Sequence, residues 1–222
     1  DITRNMVEEF GGKIDFDGQV YFIEPKLYSI KEYQVEPDVS AACYFYGIAA
    51  IYGCKALVNN VHFNSTQGDI RFIKVLEEMG CKVSDTKQGI EVVGPTKLRG
   101  LENVDMNNFS DQALTLANVA IFADAPTTIS NIAHIRGQEC DRLNAIASNL
   151  RNMGINVDEK EDSITIYPGA FHSADIETFE DHRVAMSFTL AGLRAEGITI
   201  KNPLCCGKTF ENYFEIIDGL CK

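Results

Sequence analysis

A long internal repeat is the feature that most constrains this sequence. Asp38, Asp111 and Asp181 each open an apolar segment with helical spacing, at nearly equal intervals along the chain. The end of a following helix recurs as well, as Leu-Glu-Glu-Met-Gly at 76–80 and Leu-Arg-Asn-Met-Gly at 150–154. A repeat of this length indicates that one supersecondary unit has been copied and packed against its own copies.

The order of elements within a unit is clearest in the second copy. Apolar residues at helical spacing over 141–153 predict an amphipathic helix that Gly154 ends. Alternating residues over 155–166 predict a β-hairpin. Before them, the pattern predicts a helix with Asp111 as its N-cap and then a β-branched strand at 126–132.

A short strand is also predicted before the first helix of each copy, at 34–36, 103–106 and 175–178. The unit is therefore βαβαββ, and we predict an α/β (α+β) protein of three such units around a pseudo-threefold axis. The third copy lacks its closing hairpin, and residues 7–15 look like the tail of an earlier copy. We therefore expect the sequence to begin within a repeat and segments outside this chain to complete the fold.

Composition and charge limit the classes of function. The chain has 222 residues, 45% of them hydrophobic, which is enough to form the core of one large or two small domains. Its formal net charge of −12 disfavours nucleic acid and anionic membranes as partners. No apolar run approaches the roughly 20 residues that span a bilayer, and no signal peptide is recognisable.

The cysteines indicate a reducing compartment. There are 7 of them, two are adjacent, and none forms a C-x-x-C pair. This pattern is typical of free thiols in a cytoplasmic protein rather than of a disulfide framework. No cysteine or histidine spacing resembles a metal site, so the sequence predicts no bound metal.

Four polar clusters could carry chemistry, and each also has a simpler structural interpretation. The loop at 64–69 and Asp111 both stand at predicted helix starts, where N-capping is the simpler role. Residues 136–142 place an acid between two arginines at a helix start. Two cations at the positive end of a helix dipole are unfavourable unless an anion binds there. Residues 180–183, with Lys208 at the matching later loop, could be a surface ion pair or could face a ligand.

These clusters share a position, the N-terminal ends of helices in successive copies. If the copies pack around a pseudo-threefold axis, the ends converge on one face. That face would present Arg142, Arg183 and Lys208 to a polyanionic ligand, despite the acidic total charge. Asp111 and Glu139 would then be carboxylates held among cations and available for proton transfer.

Six motifs occur in order across nearly the whole chain. They lie at 35–45, 64–72, 110–115, 139–143, 181–186 and 208–214. Glu-x-Asp-Arg-Leu at 139–143 and Asp-His-Arg-x-Ala-Met at 181–186 are close to diagnostic as a pair. With these motifs the chain resembles the EPSP synthases, the enolpyruvyl transferases of the shikimate pathway. The UDP-N-acetylglucosamine enolpyruvyl transferases share the fold but lack this combination.

The resemblance implies an enolpyruvyl transferase-like fold, an inside-out α/β barrel in which each of two lobes holds three βαβαββ units. Residues 1–28 would be the helix and hairpin that end the N-terminal lobe. Residues 29–222 would be the C-terminal lobe, with its last unit incomplete. Because most of the N-terminal lobe would be missing, we expect this truncated chain to fold but to be inactive alone. Its unpaired sheet edge would favour a dimer or be capped by residues 1–24.

The implied activity transfers the enolpyruvyl group of phosphoenolpyruvate to shikimate 3-phosphate, giving EPSP and phosphate for aromatic amino acid biosynthesis. Asp111 matches the carboxylate that binds the shikimate ring hydroxyls and is the candidate base. Glu139 matches the candidate acid that protonates the methylene carbon of phosphoenolpyruvate. The residues matched to the phosphoenolpyruvate pocket are the cations Arg142, Arg183 and Lys208, flanked by Asp181 and His182.

Two positions depart from the common family pattern. Gln138 stands where many members have a lysine that contacts the shikimate moiety, and His134 stands where many have asparagine. We interpret both as subfamily variation that alters substrate affinity rather than abolishing activity.

Two rival functions stay open on the sequence alone. One is another enolpyruvyl transferase or cyclase of this fold, including the UDP-N-acetylglucosamine type. The other is a non-catalytic repeat domain, in which Asp111, Glu139 and Arg183 need not converge.

Overall fold

The computed structural model describes residues 2–220, which contain both helices and strands. The helices are α1 (Ile2–Glu9), α2 (Val39–Tyr52), α3 (Arg71–Glu78), α4 (Ala113–Ala120), α5 (Arg142–Asn152), α6 (His182–Gly192) and α7 (Tyr213–Leu220). The strands are β1 (Ile14–Phe16), β2 (Tyr21–Ile23), β3 (Lys55–Asn59), β4 (Lys82–Asp85), β5 (Gly89–Val93), β6 (Val104–Asp105), β7 (Thr127–Ser130), β8 (Asn156–Glu159), β9 (Ile164–Tyr167), β10 (Ala174–Ile176) and β11 (Ile198–Ile200). Short 3-10 turns lie at Gly68–Ile70, Asn107–Gln112, Ala133–Gly137 and Pro203–Lys208.

The second unit follows the predicted βαβαββ order in full. Its strands form one sheet in the order β6–β7–β9–β8. β6 pairs in parallel with β7, with Val104 opposite Ile129, because α4 carries the chain back between the two strands. β8 and β9 form an antiparallel hairpin, with Val157 opposite Ile166. The predicted fold class, an α/β protein built from such units, is confirmed.

The first and third units contain parts of the same pattern. β3, β5 and β4 form an antiparallel sheet in that order, which corresponds to β7, β9 and β8. β10 and β11 pair in parallel, as β6 and β7 do. The predicted strand at 34–36 is wrong, since these residues belong to no strand and leave β3 at the edge of its sheet. Glu36 and the carbonyl of Pro37 bind the side chain of Gln67 instead.

Three apolar helices, one from each unit, form the centre of the molecule. α2, α4 and α6 each pack against the other two, as the predicted pseudo-threefold arrangement requires. Most of their side chains are buried, and such burial stabilises a fold by about 25 cal/mol per Å² of apolar surface. Gly47 of α2 permits the close approach to α6, because a Cβ atom there would lie 2.7 Å from Leu190 Cδ2.

Residues 2–28 form a helix and a hairpin that bury little surface. α1 has no buried residue, and all three residues of β2 are exposed. Phe16 and Tyr21 stack within the hairpin, with ring centroids 4.3 Å apart. The boundary predicted at residue 28 between two lobes stays a prediction, and Asp1 lies outside the described residues.

Two further properties concern the described part of the chain as a whole. No helix within residues 2–220 has the length and apolar character needed to cross a bilayer. The cysteines within that range are unpaired thiols, in line with the reduced state expected from the sequence. Cys221 lies outside the described residues.

Candidate active site

The predicted site residues lie on four segments that meet at the N-terminal ends of the central helices. Asp111 lies just before α4, and Arg183 lies in the first turn of α6. Glu139 and Arg142 lie at the start of α5, and Lys208 ends the 3-10 turn that precedes α7. Their side chains form one unbroken series of ion pairs, in the order Arg183–Asp111–Arg142–Glu139–Lys208.

Arg142 is the buried centre of this series, with its side chain 1% exposed. Nη1 donates to Asp111 Oδ1 at 2.8 Å and to Gln138 Oε1 at 2.6 Å. Nη2 donates to Glu139 Oε2 at 2.7 Å, and Nε donates to Asp181 Oδ2 at 2.7 Å. A longer contact of 3.4 Å joins Nη2 to the second oxygen of Asp181. All five N–H groups of this guanidinium therefore have acceptors within the protein.

The charges around Arg142 stabilise one another. Burial alone would lower the pKa of Arg142, but the carboxylates of Asp181, Asp111 and Glu139 raise it above its usual value. Burial would likewise raise the pKa of Asp181, yet the bond to Arg142 and its positive charge hold that pKa below the usual value. The central arginine and the fully buried Asp181 are therefore both ionised at neutral pH.

Asp181 also opens α6, as the sequence predicted. Its carboxylate accepts from the backbone N of Arg183 at 2.8 Å. The neighbouring His182 is buried, with Nδ1 3.7 Å from Asp181 Oδ1. Burial and then the charge of Arg183 lower the pKa of His182, so its imidazole is neutral near pH 7. The helix start thus contributes one anion, one cation and one neutral ring to the site.

The two ends of the ion-pair series are more open than its centre. Arg183 Nη2 lies 2.9 Å from Asp111 Oδ2, and Lys208 Nζ lies 3.3 Å from Glu139 Oε1. Lys208 is 63% exposed, whereas the side chains of Asp111 and Glu139 are about one-third exposed. Burial opposes ionisation of Glu139, but its own backbone amide, Arg142 and Lys208 hold its pKa below the usual value. A ligand can reach both carboxylates without unfolding the site.

The two positions that depart from the family pattern also lie here. Gln138 joins the cluster by accepting the bond from Arg142. His134 does not contact the ion pairs directly, but its Nε2 lies 2.8 Å from the hydroxyl of Ser110, next to Asp111. Both side chains therefore contribute to the surroundings of the predicted base.

The two arginines near the start of α5 have carboxylate partners within the protein, so the expectation that they require an outside anion is wrong. Arg136 pairs with Asp141 at 3.0 Å and with Glu159 at 3.1 Å, and it takes no part in the site. Arg142 is satisfied by the acceptors described above. Because the protein supplies its own carboxylates, the positive end of the helix dipole does not by itself demand a ligand.

Two predicted helix caps are also corrected. Asp111 does not cap α4, because it lies in a 3-10 turn and its carboxylate binds two arginines instead. Asp69 does not cap α3, because its carboxylate binds Ser40 and Gln112. The sequence had suggested no role for Ser40 or Gln112. The only signal was a polar side chain at the start of an otherwise apolar helix.

This arrangement of side chains is suited to binding charged ligands and to transferring protons. Within residues 2–220, no group of three His, Cys, Asp or Glu side chains is placed to hold a metal ion. The carboxylates of Asp111 and Glu139 alternate with cations at an accessible surface. Such a surface can bind an anionic ligand and move a proton to or from it.

Comparison with known proteins gives the family. The profile of the family described as EPSP synthase (3-phosphoshikimate 1-carboxyvinyltransferase) matches residues 1–217. The 3-phosphoshikimate 1-carboxyvinyltransferase of Nostoc punctiforme is 42% identical over 215 residues, which cover 96% of this chain and 50% of that protein. A second relative, from Halalkalibacterium halodurans, is 39% identical and is covered to the same 50%. The chain thus spans about half the length of the curated relatives it matches.

Solved structures agree with this assignment. An EPSP synthase from Acinetobacter baumannii superposes with a TM-score of 0.84 at 28% identity, over 99% of this chain and 54% of that one. The enolpyruvyl transferase NikO from Streptomyces tendae superposes with a TM-score of 0.73 at 18% identity, over 97% of this chain and 51% of that one, and so shows a shared fold alone. The chain belongs to the EPSP synthase family.

Proposed function

We propose that this chain supplies one face of an enzyme that transfers the enolpyruvyl group of phosphoenolpyruvate to shikimate 3-phosphate. The products are EPSP and phosphate, a step toward the aromatic amino acids. The observation that carries the proposal is the series Arg183–Asp111–Arg142–Glu139–Lys208, in which carboxylates and cations alternate. A non-catalytic repeat domain would not need these side chains to converge.

The two carboxylates take complementary roles in the proposed reaction. Asp111 accepts the proton of the attacking hydroxyl as the new C–O bond forms at the enol carbon. Glu139 delivers a proton to the methylene carbon, and its carboxylate later takes a proton back from that carbon as phosphate departs. Glu139 is ionised here, so it must bind a proton before it can donate one. The negative charges of an arriving phosphoenolpyruvate would raise its pKa and favour that step.

The cations differ in how readily they can bind phosphoenolpyruvate. Lys208 is exposed, and Arg183 has a single ion-pair partner, Asp111, among the described residues. Arg142 already donates all five hydrogens, so it would have to release a carboxylate before it could bind the substrate. We therefore assign first contact with the anion to Arg183 and Lys208, and we assign to Arg142 the placement of the acid and the base. Asp181 and His182 would flank the bound phosphoenolpyruvate.

The proposal includes a second half of the enzyme. Residues 1–28 would belong to an N-terminal lobe and residues 29–222 to the C-terminal lobe, consistent with coverage of half of each relative. The substrates would be gripped from both lobes, whose closure excludes water. The chain by itself would then be catalytically silent. We place the enzyme in the cytoplasm, without a metal or organic cofactor, and we infer that the free edge of β3 can support a dimer.

The test compares two proteins and two acceptors. The product of the complete reading frame that encodes these residues should release phosphate from phosphoenolpyruvate with shikimate 3-phosphate, but not with UDP-N-acetylglucosamine. The 222-residue chain should release phosphate with neither acceptor, although its circular dichroism spectrum should be that of a folded protein. Transfer to the UDP-sugar, or EPSP formation by the short chain alone, would contradict the proposal.

A further inference from the structure

A buried carboxylate near Arg183 has no role in the chemistry described so far. Asp69 is 8% exposed and lies in the 3-10 turn that precedes α3. Its Oδ2 accepts from the hydroxyl of Ser40 and from Gln112 Nε2, the latter at 2.8 Å. This single oxygen therefore joins the first turn of α2 to the residue that follows Asp111.

The bond from Gln112 to Asp69 can transmit a displacement. Gln112 is fully buried, and its Oε1 accepts from Thr115 Oγ1 at 2.9 Å, so its amide is held at both ends. The two 3-10 turns are also in close contact, because a Cβ atom on Gly68 would lie 2.4 Å from the carbonyl oxygen of Asn108. A change at Asp69 is thus passed directly to the turn that precedes α4.

The charge of Asp69 requires an explanation beyond its hydrogen bonds. A buried carboxylate is costly, and an asparagine here could accept the bonds from Ser40 and Gln112 only as weaker bonds to a neutral oxygen. Burial raises the pKa of Asp69, while the bonds from Ser40 and Gln112 and the charge of Arg183 lower it without cancelling the effect of burial. Arg183 is the cation whose charge opposes this effect of burial. Asp69 also adds a second negative charge near the guanidinium of Arg183, which already pairs with Asp111.

We propose that Asp69 is a positioning residue, which holds the turn of Asp111 through Gln112 and restrains the affinity of Arg183 for anions. This inference rests on the proposed function and deepens it. Without the charge, Arg183 binds an anion more tightly, while the turn that carries the candidate base is held less firmly. Turnover and anion affinity should therefore change in opposite directions.

The test removes the charge and keeps the size of the side chain. In the product of the complete reading frame, Asp69→Asn should lower kcat by about 10- to 100-fold, the scale expected when a reacting group is misplaced, and KM for phosphoenolpyruvate should fall. In the 222-residue chain, the same change should tighten binding of inorganic phosphate by about fivefold in an NMR titration. Asp85→Asn is the matched control, since Asp85 is a carboxylate of β4 that accepts from His62 and Phe63. Asp85→Asn should change neither kcat nor the affinity for phosphate.

A second variant keeps the proposal testable if Asp69→Asn does not fold. Ser40→Ala removes one donor to Asp69 and should lower kcat in the same direction by a smaller factor. The inference is overturned if kcat and phosphate affinity stay within about twofold of wild type, the scale of context effects. It is also overturned if kcat falls only in parallel with thermal stability. The same holds if phosphate binds neither the wild-type 222-residue chain nor its Asp69→Asn variant. Absence of EPSP formation by the wild type would reject the proposed function, while the phosphate titration would still decide the role of Asp69.

Discussion

Replacing Arg142 with methionine should expose how strongly the fold depends on this one buried cation. Methionine fills a similar volume but leaves the fully buried carboxylate of Asp181 without its positive partner. Breaking one side of a buried ion pair typically costs about 3–5 kcal/mol. Asp111 and Glu139 are about one-third exposed and can hydrate, so they should add little to that cost.

The expected loss can be measured as a shift in melting temperature. For a chain of this size, 1 kcal/mol corresponds to about 2–4 °C, so the variant should melt about 6–20 °C below wild type. Lys208→Ala is the matched control, because Lys208 is 63% exposed and its pair should be worth at most about 1 kcal/mol. The double variant Arg142→Met with Asp181→Asn removes the buried charge as well. It should recover at least half of the loss.

The stabilities of the wild type and of Arg142→Met should change in opposite directions with pH. In the wild type the pKa of Asp181 is lowered by folding, so its contribution to stability is present above the unfolded pKa and is lost as pH falls through the folded value. In Arg142→Met the buried, unpaired carboxylate has a raised pKa, so protonation stabilises the variant as pH falls. In urea unfolding, the difference in unfolding free energy between the wild type and Arg142→Met should therefore be smaller at about pH 5 than at about pH 7. A loss below about 1 kcal/mol, or no recovery in the double variant, would refute this reasoning.

Three further outcomes test other parts of the molecule. Arg183→Ala, in the product of the complete reading frame, should reduce kcat/KM for phosphoenolpyruvate by roughly 10- to 150-fold, as loss of a charge-assisted contact of about 1.5–3 kcal/mol predicts; steady-state kinetics that match wild type would exclude it as a substrate cation. Glu139→Gln should lower kcat and largely preserve KM, because the amide keeps the shape but cannot deliver a proton; near-normal turnover would direct the search for the acid to Asp111. Gly89→Ala should destabilise the chain by about 2–4 kcal/mol in urea unfolding, because φ is +145° and the new Cβ would lie 2.1 Å from the Val58 carbonyl oxygen. Gly169→Ala, which meets no atom within 4 Å, should be close to neutral and serves as its control.

Features that depend on neighbours along the chain could be predicted from the sequence. The βαβαββ order follows from hydrophobic periodicity, which reports the face that each element buries. Asp38 and Asp181 stand at the starts of α2 and α6 as expected. Each caps its helix, because a capping bond joins residues two or three positions apart. Gly154 ends α5 with φ +88°, a conformation that glycine adopts readily. The family was also recognisable, since its motifs keep their order along the chain.

Features that depend on residues far apart in the sequence required the folded chain. The partners of Arg142 include Asp111 and Asp181, which lie 31 and 39 positions away, so no local pattern shows that this arginine is buried and saturated. Asp69 and Asp111 occupy capping positions by sequence, yet their carboxylates bind groups from other units. The physical reason is that a carboxylate takes the strongest donor within reach. Only the packing of the three units determines which donors those are.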